Sequence, residues 1–107
     1  MDIKKLIGKR IQEIRKTRNY TQEYLAELIG IETVSLSNIE RGKYYPSAET
    51  LNKVLVALNI EPSELFMFRH LSQTNELIEE MNECLLKNEE LTRKVYLFFK
   101  FVQYSYL

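Results

Sequence analysis

Apolar residues recur every three or four positions through most of this sequence, and that spacing constrains the fold more than any other feature. In the first segment the residues that follow it are Ile3, Leu6, Ile7, Ile11 and Ile14. A period near 3.6 places such residues on one face of an amphipathic α-helix. The alternation of apolar and polar residues that is typical of β-strands is absent from the sequence. The spacing therefore predicts an all-α protein.

Residues that begin or end helices divide the first part of the chain. Hydroxyl side chains suit helix N-termini, glycines suit C-termini and proline suits a first turn. The residues in these roles are Thr21, Gly30, Gly42, Ser47 and Pro62. They predict five helices within residues 1–67, the third of which runs from near Glu32 to Arg41.

The composition changes at Phe68, where glycine and proline cease and glutamate and aromatic residues become frequent. We therefore predict a second, helical unit over residues 68–107. Residues at alternating spacings of three and four run through it: Leu77, Met81, Cys84, Asn88, Leu91, Val95, Phe98 and Val102. This heptad spacing predicts a helix that packs along another helix. Asn88 either caps a second helix or lies inside one long helix, and the lack of a tight-turn residue favours a continuous or kinked helix.

Charge and cysteine content limit where such a chain acts. Fifteen basic and fifteen acidic residues balance, so attraction to a polyanion must come from local patches. The single cysteine, Cys84, cannot form an internal disulfide, and the N-terminal segment lacks the apolar core of a signal peptide. The most apolar stretch, 96–107, is far shorter than the ~20 residues that span a bilayer. We expect a cytoplasmic protein without a membrane segment.

No group of residues has the composition of a catalytic or metal site. His70 has no second ligand nearby, and Cys84 lies on the apolar stripe, where a small core thiol is expected. We therefore predict that the protein is not an enzyme and needs no metal or cofactor.

Residues 18–66 carry a more specific pattern. The matching features are TQ at 21–22, LA at 25–26, the turn glycine, the series Leu36, Ser37, Ile39, Glu40 and Gly42, PS at 46–47 and the final ELF. This run resembles the helix-turn-helix domain of phage Cro and repressor proteins, the XRE-like family of bacterial regulators. The resemblance implies a five-helix, lambda-repressor-like DNA-binding domain whose third helix enters the major groove of double-stranded DNA.

Short side chains share the outward face of the predicted third helix. An asparagine can pair with adenine, a hydroxyl can donate or accept at a base edge, and a valine suits a thymine methyl. Without the surrounding motif this face would be an ordinary solvated surface. With the motif, the predicted base contacts are Thr33, Val34, Ser37 and Asn38. Glu32 departs from the usual Ser or Thr of the family, and both a cytosine contact and a role at the helix terminus remain open.

The resemblance also implies contacts to the DNA backbone on both sides of the third helix. A helix N-terminus favours a phosphate because its N–H groups are free, and basic residues supply charge. The predicted phosphate contacts are Thr21, Gln22, Arg41, Lys43 and Tyr44. By the same resemblance, Arg15 and Glu40 form a structural ion pair that ties the first helix to the third.

The aromatic C-terminus completes the predicted function. A neutral monomer with one reading helix would bind DNA weakly, so we expect a homodimer. The predicted dimerisation residues are Leu91, Val95, Phe98, Phe99 and Val102. The expected function is a sequence-specific transcriptional regulator, a dimeric repressor of a two-fold symmetric operator. The alternative is an antitoxin or partner-binding regulator whose C-terminal helices bind another protein and whose DNA binding is autoregulatory.

Overall fold

The computed structural model describes residues 2–106, and within them every regular element is helical. The α-helices are α1 (Ile3–Thr17), α2 (Gln22–Ile29), α3 (Thr33–Glu40), α4 (Ala48–Leu58), α5 (Pro62–Leu65), α6 (Thr74–Leu86) and α7 (Glu89–Ser105). A short 3-10 helix, Arg69–Leu71, precedes α6. None of these helices combines the length and the apolar character needed to cross a membrane. The chain divides into two compact units, Met1–Arg69 and His70–Leu107.

Capping residues set the helix ends in the first unit. The hydroxyl oxygens of Thr21 and Ser47 each accept the backbone N–H three residues later, at 3.0 and 3.1 Å. These bonds satisfy N–H groups that α2 and α4 would otherwise leave free. Gly30 ends α2 with φ of +75°, a left-handed conformation that glycine adopts at no steric cost. The predicted two-turn second helix and its glycine stop are thus explained by local chemistry.

The first unit encloses one apolar core to which all five of its helices contribute. Its buried residues are Ile7, Ile11, Ile14, Leu25, Ala26, Ile29, Leu36, Ile39, Val54, Leu58 and Leu65. The tightest approach is between α1 and the end of α3, at Gly8. A Cβ added there would lie 2.1 Å from the carbonyl oxygen of Ile39, so only glycine allows this packing. The close approach fixes the position of α3 against the body of the domain.

Arg10 of α1 and Arg18, the residue that ends this helix, bind the C-terminal ends of later helices. The Nε of Arg18 donates to the carbonyl oxygen of Leu58 at 3.1 Å, and the Nε of Arg10 donates to that of Glu64 at 2.9 Å. Both carbonyls lie in last turns, where helix hydrogen bonds are missing and the helix dipole is negative. The first helix therefore joins α4 and α5 to the core as well as α3.

The second unit is a hairpin of two separate helices, so the continuous or kinked helix favoured by the sequence is wrong. Asn88 takes an extended backbone conformation, and its Oδ1 accepts the N–H of Leu91 at 3.0 Å. The hydroxyl of Thr92 donates toward the carbonyl oxygen of Leu85, 2.7 Å away, in the last turn of α6. An asparagine cap and a threonine hydroxyl thus replace the glycine or proline that we expected for a reversal.

The hairpin has no enclosed core. Neither α6 nor α7 contains a buried residue, and the most shielded apolar side chains are only half-buried: Leu77, Leu85, Val95 and Val102. Cys84, expected in the core, is exposed beside a groove of about 410 Å³ between the two helices. Two helices alone provide no third layer to cover such a residue.

Candidate nucleic-acid interface

The third helix is held by its inner face and leaves its outer face open to solvent. Leu36 and Ile39 are buried in the core, whereas Val34 on the opposite side is 64% exposed. The other predicted base-contacting residues, Thr33, Ser37 and Asn38, are partly exposed on α3. We call Thr33, Val34, Ser37 and Asn38 the reading face. Its short side chains let the helix backbone come close to whatever the face binds.

A buried ion pair fixes the orientation of α3. The Nε and Nη2 of Arg15 donate to the two carboxylate oxygens of Glu40 at 2.7 and 3.0 Å. The Nη1 of Arg15 donates to the carbonyl oxygen of Tyr20 at 2.8 Å. The exposed fractions of the two side chains are only 8% for Arg15 and 0% for Glu40. Because both charges are desolvated and geometrically matched, removing one would leave the other uncompensated.

Gln22 extends this network to α2. Its Nε2 donates to Oε1 of Glu40 at 2.9 Å, so the first residue of α2 is bonded to the last residue of α3. Its neighbour Thr21 caps α2, and the capping oxygen accepts a backbone N–H while its own proton remains available to donate. Thr21 and Gln22 thus lie at a helix N-terminus that is rigidly connected to the reading face.

Positive charge gathers at the C-terminal end of α3. Arg41 is the residue that ends the helix, and Lys43 follows Gly42, whose φ is +78°. Lys5 lies against Gly42, since a Cβ added to this glycine would be 2.7 Å from Cγ of Lys5. The sequence analysis missed Lys5. The signal that could have found it is Gly8, one helical turn further along α1, because a glycine in mid-helix marks a close contact.

A groove of about 220 Å³ runs beside the reading face. It is lined by Asn38 and Ser35 of α3 and by residues of the following loop, including Tyr44 and Tyr45. Tyr44 is 62% exposed, in keeping with a surface contact. Ser35, which the sequence analysis did not place on the reading face, borders this groove instead.

Glu32 is the N-cap of α3, but its carboxylate makes no capping hydrogen bond. The helix therefore begins without the side-chain bond that a Ser or Thr would supply at this position. A negative charge near a helix N-terminus still interacts favourably with the dipole.

The predicted dimerisation residues divide between two environments in the hairpin. Leu91 and Val95 line the groove between α6 and α7, and Val102 is half-buried. Phe98 and Phe99 are 67% and 53% exposed. The sequence analysis missed a further exposed apolar row on α7, formed by Leu97, Phe101 and Tyr104 at 70%, 70% and 73% exposure. The spacing of four and three residues in this row was visible in the sequence, but the alternative stripe was chosen.

This geometry is that of a helix-turn-helix domain, with α2 and α3 as the two helices and Gly30 at the turn. The family model described as "Helix-turn-helix" matches residues 11–65. The chain belongs to this family, and the resemblance noted in its sequence to XRE-type regulators is confirmed. Proteins of this family regulate transcription through a DNA-binding domain and are not enzymes, as predicted.

The names of two relatives agree with this class. The immunity repressor protein of Bacillus phage phi105 is 44% identical over 55% of this chain and 41% of its own length. The transcriptional regulator ImmR of Bacillus subtilis strain 168 is 35% identical over 78% of this chain and 70% of its own length. Among solved structures, the SinR protein–SinI protein complex matches with a TM-score of 0.57 and 27% identity, covering 91% of this chain and 97% of the other.

Proposed function

We propose that this protein is a homodimeric repressor that reads a two-fold symmetric operator with α3 in the major groove. The observation that carries the proposal is the reading face itself. Four small side chains face outward from a helix whose inner side is fixed by Leu36, Ile39 and the buried pair of Glu40 with Arg15. A rigid helix with short polar side chains can bring donors and acceptors to base edges.

Two sets of residues have different roles in this proposal. Thr33, Val34, Ser37 and Asn38 contact bases and set sequence preference. The residues that flank them contact phosphates and set affinity: Thr21, Gln22, Arg41, Lys43 and Tyr44. Their support is position, because they lie at the N-terminus of α2 and just beyond the C-terminus of α3. Arg15 and Glu40 hold the two helices without touching DNA.

The hairpin supplies the dimer contact, and its occupant is a second copy of the same hairpin. The exposed row Leu97, Phe101 and Tyr104 continues beside Phe98 and Phe99, so α7 presents apolar side chains over several turns. An aromatic side chain can bury about 150–250 Å². A handful of them approaches the ~800 Å² per partner of a standard interface. Two hairpins packed together would cover surface that a lone hairpin leaves in water.

Repression is the regulatory sense that the relatives favour. The phage phi105 relative is named an immunity repressor protein, and the ImmR relative a transcriptional regulator. A repressor acts by occupying its operator, and a DNA-binding unit joined to a dimer contact can do so. Such a protein works where the DNA is, in the cytoplasm of a bacterium.

Selection of bound sequences from a pool of random double-stranded DNA tests the proposal. We expect two related half-sites in inverted orientation, with centres about 34 Å apart along the duplex, because a two-fold protein places its reading helices one helical turn apart. Failure to enrich any sequence would contradict the proposed function.

Two alanine variants then separate the roles of the residues. In the selected site, Asn38→Ala is expected to relax the preference at one base position in each half-site by ~1–3 kcal/mol. Lys43→Ala is expected to weaken all sequences alike, with a reduced dependence on salt. An equal loss of affinity for all sequences in Asn38→Ala would show that Asn38 does not contact a base.

A second candidate function rests on the same exposed hairpin. The solved SinR–SinI structure is a complex of two different proteins, and its match covers most of this chain. If the purified protein is a monomer, the hairpin would instead bind a different protein, as in the antitoxin or partner-binding alternative. Sedimentation equilibrium distinguishes these cases, because the homodimer proposal requires twice the 12.8 kDa of one chain.

A further inference from the structure

The side chain of Arg41 folds back along α3 instead of extending away from it. Its Nη2 donates to Oδ1 of Asn38 at 2.6 Å, and its Nε donates to the carbonyl oxygen of Ser37 at 3.4 Å. The carbonyl oxygen of Asn38 accepts the backbone N–H of Lys43 at 2.9 Å. The last turn of α3 is therefore closed on itself, with Asn38 held through both its backbone and its side chain.

The bond between Arg41 and Asn38 fixes which end of the amide is free. A guanidinium only donates, so the atom that faces it must be the amide oxygen. The Nδ2 group, which only donates, is left for another partner. The 2.6 Å bond is charge-assisted and joins two residues less than one helical turn apart, so the arrangement is favoured in the free protein.

This arrangement disfavours the usual pairing of asparagine with adenine. That pairing uses the amide oxygen to accept from the adenine N6 amino group and the amide nitrogen to donate to N7. Here the oxygen is engaged by a cation, which would also repel the partly positive amino hydrogens of adenine. Guanine presents two neighbouring acceptors, N7 and O6, and no donor at this edge. It matches an amide whose oxygen is already engaged by a cation and whose Nδ2 group is left to donate.

We propose that Arg41 is a positioning residue that makes Asn38 a reader of guanine. The inference rests on the proposed function, since it concerns the base that the reading face selects at one position. It replaces the role of Arg41 as a phosphate contact, which both the sequence analysis and the proposed function gave it, and leaves the other phosphate contacts unchanged. The arginine acts through Asn38 and thereby sets specificity.

The test compares base preferences selected by four proteins from a random double-stranded DNA pool. They are the wild type, Asn38→Ala, Arg41→Ala and the matched control Lys43→Ala, which also removes one cation just beyond α3. Asn38→Ala identifies the base pair that Asn38 reads, because the preference relaxes there. Far-UV circular dichroism confirms that each variant is folded, which is expected because Arg41 and Lys43 are exposed.

We expect the wild type to prefer a G·C pair at that position. In Arg41→Ala the freed amide should accept adenine, so the preference for G·C over A·T should fall by about ten-fold or reverse. Lys43→Ala should lower affinity without changing this preference. A wild-type preference for an A·T pair there, or an Arg41→Ala variant that weakens all sequences alike, would overturn the inference. If the wild type selects no sequence at all, the proposed function fails and this inference falls with it.

Discussion

The two units of this chain are both built from amphipathic helices, yet they differ in what their apolar residues touch. In the first unit, eleven apolar residues from five helices are buried against one another. In the second, neither helix contains a buried residue, and most of the aromatic side chains of α7 are more than half exposed. Helical periodicity thus predicts helices but does not show whether their apolar faces have a partner. Under the proposed function, a second copy of the hairpin supplies the partner that the apolar face of α7 lacks in a single chain.

The largest expected effect is a loss of stability in the first unit. Arg15→Met would leave the Glu40 carboxylate buried without its cation, so we expect a loss of about 3–5 kcal/mol in the free energy of unfolding. Urea denaturation measures it. The control is Lys53→Met, which removes an exposed pair with Glu49 at 3.5 Å and should change stability little. Equal effects of the two changes would mean that the buried network does not hold α3.

The next effect concerns the apolar row of the hairpin. Changing Leu97 and Phe101 together to serine should raise the dimer dissociation constant by about 100-fold, because truncating large apolar residues at the centre of an interface removes much of its binding energy. Sedimentation velocity over a concentration series measures the constant. The matched control is Val56→Ser in the first unit, an apolar residue that is 81% exposed. A dimer that survives the double change would place the interface elsewhere.

A smaller effect compares equivalent caps in the two units. The cap bonds of Asn88 and Ser47 have nearly the same length, 3.0 and 3.1 Å, so replacing either residue by alanine should cost about 1 kcal/mol. The loss of stability in Asn88→Ala should make the dimer dissociate more readily, so its size should depend on protein concentration. The Ser47→Ala loss should appear in the unfolding of the first unit. Unfolding curves recorded at two protein concentrations separate the two losses. The same concentration dependence for both variants would show that the two caps do not act on different units.

The smallest expected effect is a gain in stability at the reading helix. Because the carboxylate of Glu32 makes no capping bond, Glu32→Ser should stabilise the first unit by about 0.5 kcal/mol. The same variant decides between the two roles left open for Glu32. Unchanged affinity for the selected operator would assign Glu32 to the helix terminus, whereas a loss confined to one base pair would assign it to base reading.

Much of the first unit could be predicted from the sequence because its signals are local. Thr21, Gly30 and Ser47 mark helix ends through bonds and backbone conformations that involve only neighbouring residues. The apolar period then determines which side of each helix is buried. The pairing of Arg15 with Glu40, 25 residues apart, came only from the resemblance to a known family, because spacing along the chain says nothing about such distant contacts.

The features that were not predicted depend on contacts between distant segments, on alternative ways to end a helix, or on side-chain rotamers. The mid-helix Gly8 marks a close contact on α1, but only the packing of α1 on α3 shows that Lys5 lies beside Gly42. The break at Asn88 was misjudged because an asparagine cap can end one helix and begin another without glycine or proline. The bond between Arg41 and Asn38 depends on the rotamer of a long side chain, which no sequence pattern specifies.

Sedimentation equilibrium of the full chain and of residues 1–69 tests whether the hairpin holds two copies of the protein together. We expect the full chain to sediment at twice its monomer mass of 12.8 kDa. The shorter chain should remain folded, because its core lies within residues 7–65, and should sediment as a monomer with much weaker binding to the selected operator. A full chain that stays monomeric, or a shortened chain that stays dimeric and keeps its affinity, would show that the hairpin is not the dimer contact.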